Sequence, residues 1–107
     1  MREVTSGELA EWLGDPSRPA PVLLDVREPW EFQVCRIEGS LPMPMGSIPA
    51  RLSELDREAE IVLICHHGVR SARVGAFLEY QGFRNIINLA GGVADWAAQV
   101  DPHMPRY

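Results

Sequence analysis

The chain has 107 residues, 46% of them hydrophobic and 23% charged, which supports one domain with its own core and argues against disorder. A formal net charge of −5 and a sequence pI near 5.1 exclude nucleic acid and anionic membrane surfaces as expected partners. No run approaches the ~20 apolar residues of a membrane span, and the N-terminus carries no signal-like apolar core, so a soluble cytoplasmic protein is expected.

Thr5 to Leu13 places Leu9, Trp12 and Leu13 on one helical face behind a Ser/Thr start, which predicts a short helix ending near Gly14. Three prolines between Asp15 and Pro21 mark a loop. Val22 to Val26 reads as a buried strand that delivers Asp25 and Arg27 at its carboxyl end. Glu28 to Phe32 opens a helix, with Pro29 accepted in the first turn. Pro42, Pro44 and Pro49 suit a short edge strand or extended connection from Gly39 onward, and a short helix is expected across Ile48 to Leu55.

Ile61-Val62-Leu63-Ile64 reads as a second buried strand, stopping at Cys65. Helical spacing follows over 71–81: Ser71 is the expected N-terminal residue, Val74, Phe77 and Leu78 form the apolar face, and Gly82 supplies the stop. Ile86 to Leu89 is a third strand, after which Gly91-Gly92 turns the chain into a last helix carrying Val93 and Trp96. The tail from Val100, with Pro102 and Pro105, is expected to lie extended on the surface. Trp12, Trp30 and Trp96 are read as core, and Met43 and Met45 as packing or a groove lip.

This alternation predicts an α/β fold in three layers, a mainly parallel central sheet with helices on both faces. In such folds ligands bind beyond the carboxyl ends of the strands. Asp25, Arg27, Cys65 and Gly91-Gly92 all fall at such ends.

The stretch Cys65-His66-His67-Gly68-Val69-Arg70-Ser71 concentrates the chemistry. A thiol on a tight strand-to-helix turn faces free backbone N–H groups and the positive end of a helix dipole, surroundings that favour a thiolate. Backbone amides of such a loop can form a nest for negative charge, and a locally basic loop in an acidic protein suits a small anionic ligand. Two reactions would use it: attack on a phosphate ester, or attack on a sulfane sulfur to give a persulfide. Loop length separates them. Cysteine-dependent phosphatases space Cys and Arg by five residues, whereas here four separate Cys65 from Arg70 and the phosphatase position holds Ser71.

Arg70 is read as an oxyanion ligand, with an ion pair to Asp or Glu as the alternative. His66 and His67 lack a third ligand, so no metal and no cofactor are expected. Asp25 and Arg27 are read as an ion pair that braces the loop, not as a catalytic acid and base. Cys35 is read as a small core or surface residue, unpaired with Cys65.

Asp25-Val26-Arg27-Glu28, Pro29-Trp30-Glu31-Phe32, the 65–71 loop and Leu89-Ala90-Gly91-Gly92-Val93 followed by Trp96 together resemble, in order, the successive motifs of the rhodanese (thiosulfate sulfurtransferase) family. The resemblance spans roughly residues 2–107 and implies a single rhodanese-like domain over 1–107. It implies that Cys65 carries a persulfide, that the backbone of His66, His67, Gly68, Val69, Arg70 and Ser71 cradles the outer sulfur, and that Arg70 helps hold an anionic donor. Asp25 and Arg27 match a pair that braces the loop in that family. Where members often carry Gly-His, this chain has Cys35-Arg36.

The implied activity is sulfur transfer from thiosulfate or a related donor to a thiol, to a protein acceptor, or to cyanide in an assay, by a monomer or weak homodimer. A sulfur-carrier or reactive-sulfur-sensing module acting with a protein partner is the alternative from another class, and a small phosphatase or arsenate reductase the third.

Overall fold

In the computed structural model, which describes all 107 residues, the three apolar runs predicted as strands lie side by side. With β1 at Arg2–Val4, they are β2 (Val22–Asp25), β4 (Ile61–Ile64) and β5 (Ile86–Leu89), and β3 is Leu41–Pro42. The sheet order is β1-β5-β4-β2-β3 with every neighbouring pair parallel, and Leu63 of β4 stands between Leu24 and Asn88. Strands covered on both faces need apolar residues at consecutive positions, which is why β4 reads as an unbroken run and not as an alternation.

Helices supply that cover. On one face α1 (Ser6–Leu13) and α4 (Gly92–Gln99) pack Leu9, Trp12, Val93 and Trp96 over Val62, Ile64 and Ile87. On the other, α3 (Val69–Tyr80) packs Val74 and Leu78 over Ile61, Leu63 and Ile86, joined by Met43, Ile48 and Leu55. The short α2 (Pro29–Val34) buries only Glu31. The α/β architecture expected from the sequence is thus the architecture found. The start of α1 is fixed by a capping box, in which Thr5 Oγ1 accepts the Glu8 N–H at 3.1 Å and the Glu8 carboxylate accepts the Thr5 N–H at 2.9 Å.

Five local features depart from the sequence reading. β1 has no apolar run to announce it: Arg2 and Glu3 are exposed, and pairing with β5 alone makes it a strand. The helix expected from Ser71 begins at Val69, because Gly68 takes a left-handed φ of 94° and turns the chain two residues sooner. The short helix expected over Ile48 to Leu55 is found at Pro49–Glu54 but is of the 3-10 type and kinked at Arg51, and it is preceded by another 3-10 helix at Met45–Ser47. Trp30 is 58% exposed, since α2 turns its one buried position, Glu31, inward. The tail is not a surface strap throughout: Met104 is buried in the core beside α4, and the chain then returns Tyr107 to the carboxyl end of the sheet.

Candidate active site

Cys65 follows β4 directly and is 1% exposed. The peptide groups around it have their directions fixed by α4. The Val93 N–H donates to the Cys65 carbonyl at 2.9 Å and the Ala94 N–H to the His66 carbonyl at 3.0 Å, so free amides of a helix start hold the loop's carbonyls. Gly92, with φ of 59°, permits that approach: a Cβ there would overlap both carbonyl oxygens.

The inward side of the loop presents donors to sulfur. Gly68 N–H donates to Cys65 Sγ at 3.0 Å, and Ser71 Oγ lies 3.2 Å from it. Burial pushes the thiol up, but the Ser71 hydroxyl and the backbone N–H groups of Ser71, Gly68 and His67 outweigh it and hold Cys65 below its ordinary 9.0. The arrangement favours the thiolate form of Cys65.

Arg70 does not point freely into solvent. Its Nη1 and Nη2 donate to the two oxygens of Glu31 at 2.6 and 2.8 Å, the ion-pair alternative in the sequence reading. These hydrogen bonds from Arg70 lower Glu31 from 4.5 to about 2, against the effect of its burial. Tyr107 joins the pair: its hydroxyl donates to Glu31 at 2.7 Å and accepts from Arg27 Nη1 at 2.9 Å, with burial pushing its own ionisation up to about 12. The Tyr107 ring stacks on His66 at 4.2 Å between centroids, and His66 stacks on His67 at 4.1 Å. Burial and the neighbouring His67 hold His66 below its ordinary 6.5.

Arg27, 1% exposed, binds Asp25 through Nε and Nη2 and donates to the Cys35 carbonyl at 2.6 Å. None of its hydrogen bonds reaches residues 65–71 directly. Its link to the loop runs through Tyr107 and Glu31 to Arg70. Cys35 and Cys65 are both free, and they lie in core clusters on opposite faces of the sheet. A cavity of about 210 Å³ opens beside His66 and His67, walled by Cys35, Val93, Arg106 and Tyr107. Met43 is buried, while Met45 lines a groove with Ile48 and Phe77.

Sequence reasoning missed Glu31, Tyr107 and Asn88. Asn88 Oδ1 accepts from Ser71 Oγ, and its Nδ2 donates to the Gly68 carbonyl at 3.1 Å. A polar side chain inside the run Ile86-Ile87-Asn88-Leu89 was the available signal, since a buried amide must have partners.

The sequence model of the rhodanese-like domain matches residues 5–99. The chain belongs to the rhodanese-like domain family. It is 35% identical over 97 residues to a sulfurtransferase of Allochromatium vinosum, covering 91% of this chain and 89% of that one. It is 36% identical over 106 residues to the Mycobacterium tuberculosis protein named "Probable adenylyltransferase/sulfurtransferase MoeZ", spanning 97% of this chain but 26% of the relative. The rhodanese-like fold is shared with the crystal structure of a rhodanese-related protein from Thermoplasma volcanium, at 31% identity, a TM-score of 0.83 and 94% coverage of both chains. Among its helices, none is long and apolar enough to cross a membrane.

Proposed function

We propose that this rhodanese-like domain transfers a sulfane sulfur from thiosulfate or a related donor to a thiophilic acceptor through a persulfide on Cys65. The Cys65 thiolate attacks the outer sulfur of the donor, a new S–S bond forms, and the donor's own S–S bond breaks with sulfite leaving on the electron pair. A thiolate, or cyanide in an assay, then attacks the outer sulfur, and Cys65 departs as thiolate. Such a double displacement gives ping-pong kinetics.

The observation that carries this reading is the inward aim of the loop. Gly68 N–H and Ser71 Oγ converge on Sγ while the Cys65 and His66 carbonyls are held away by α4. An anionic leaving group or persulfide at that point meets amide donors, and the N–H groups of Arg70 not engaged by Glu31 supply further ones. The same reading takes the protein as cytoplasmic, a monomer or weak homodimer, with a small anionic donor and a thiol or protein acceptor, and with no nucleic-acid or membrane partner.

Intact-mass spectrometry after incubation with thiosulfate tests it. The wild type gains one sulfur atom, lost again on adding cyanide, and Cys65→Ser gains none while keeping its fold. Unchanged thiosulfate:cyanide activity in Cys65→Ser refutes the assignment. A persulfide that forms with negligible turnover makes the domain a carrier, and Cys65-dependent hydrolysis of an aryl phosphate makes it a phosphatase.

A further inference from the structure

Ser71 and Asn88 form a buried polar pair behind the sulfur. Asn88 is 2% exposed and Ser71 lies fully buried on the inner stripe of α3. The amide of Asn88 has one workable orientation: Nδ2 donates to the Gly68 carbonyl at 3.1 Å and to the Glu3 carboxylate at 3.2 Å, and a flip would set oxygen against two acceptors. Its Oδ1 therefore faces the Ser71 hydroxyl and can only accept from it. On the other side of the same hydroxyl, 3.2 Å away, is Cys65 Sγ.

The serine has one proton and two claimants. While Cys65 is a thiol, its S–H donates to Ser71 Oγ, whose O–H donates to Asn88, and every group is satisfied. Once the thiol proton has gone to solvent, the sulfur can only accept. The Ser71 hydroxyl then either turns to sulfur and leaves Asn88 Oδ1 buried without that donor, or stays on Asn88 and leaves the thiolate one donor short.

We propose that Asn88 is a positioning residue acting on Cys65 through Ser71, holding the hydroxyl in the orientation that suits the thiol and thereby setting how readily the sulfur ionises. The inference rests on Cys65 being the nucleophile of the proposed function, but it is read on the thiol itself. The other charged or titratable groups around the site are His66 and His67 on the loop, Arg70 at the start of α3, Glu31 from α2, Tyr107 from the tail and Glu3 from β1. All of them are retained in the variants below; Asn88→Ala also frees the Glu3 carboxylate and the Gly68 carbonyl, and the double variant separates that effect from the relay.

The test is the rate of Cys65 alkylation by iodoacetamide across pH, read on the Cys65 peptide by mass spectrometry, with folding checked by thermal melting. Ser71→Ala removes the relay altogether and sets the midpoint against which the effect of Asn88 is read. Asn88→Ala lowers the wild-type midpoint, giving about tenfold more thiolate at a pH below both midpoints. The double variant behaves as Ser71→Ala alone. An unchanged or raised midpoint in Asn88→Ala overturns the proposal, as does a lowering that persists without Ser71, which would place the effect in the Gly68 backbone. Should Asn88→Ala not fold, Asn88→Asp keeps the acceptor and adds charge, and it must raise the midpoint; an unchanged or lower value overturns the proposal. A protein that shows this pattern yet forms no persulfide refutes the functional reading and leaves this one standing.

Discussion

Glu31→Gln separates the ionic from the steric role of the pair that closes the site. Glu31 is 3% exposed and, held by the Arg70 hydrogen bonds, titrates at about 2 instead of 4.5. A carboxylate more acidic in the folded chain than in the unfolded one stabilises the fold fully above about pH 4.5, and the contribution drains as pH falls toward 2. Linkage converts that fall from 4.5 to about 2 into roughly 3 kcal/mol at neutral pH. The Arg70 side chain is 32% exposed, so solvent screens the figure toward about 2 kcal/mol. For a domain of this size that lowers Tm by about 10 °C. The assay is urea unfolding of wild type and Glu31→Gln, followed by fluorescence of the buried Trp12 and Trp96, at pH 7 and again near pH 2.5. The gap between the two proteins should be wide at pH 7 and close at the acid end. A gap of equal size at both pH values refutes the reasoning, because it would mean that Glu31 contributes by shape and not by charge.

Gly92→Ala should destabilise by more than about 3 kcal/mol or abolish folding, since its Cβ meets fixed carbonyls at a left-handed φ, whereas Gly75→Ala displaces mainly the flexible Met1 side chain and costs about 1 kcal/mol; thermal melts of both check the contrast. Tyr107→Phe removes the hydroxyl shared by Arg27 and Glu31 while keeping the ring on His66, and should lower stability by about 1–2 kcal/mol in chemical unfolding. Arg27→Met strands a buried Asp25 and should cost about 3–5 kcal/mol, much of it recovered in Asp25→Leu/Arg27→Met, as read from urea midpoints.

What the sequence disclosed and what it withheld follow from contact range. β2, β4 and β5 were legible because burial on both faces forces runs of apolar residues, and the loop was legible because Cys65, Gly68, Arg70 and Ser71 are neighbours along the chain. Glu31 and Arg70 meet across 39 positions and Tyr107 and Glu31 across 76, and no local spacing encodes either contact. Trp30 illustrates the same limit from the other side. Its place in a helical pattern suggested core, but α2 is only six residues long and buries a carboxylate, leaving the indole to meet the Tyr107 ring edge-on at 5.3 Å. The start of α3 was misplaced by two residues because a glycine in a left-handed conformation, not a polar capping side chain, makes the turn.

The hold of α4 on the loop carbonyls has a consequence for how this scaffold can change. Grip on sulfur belongs largely to peptide groups, whose direction is set by amides 28 positions downstream, so several side chains of the loop are released from that duty. His67 and Val69 of the loop stand exposed, His67 on the wall of the cavity. Under the proposed function, exchange of these two residues can alter which donor or acceptor gains entry without rebuilding the hydrogen bonds to Cys65, whereas changes at Gly91-Gly92 can disturb those bonds from outside the loop.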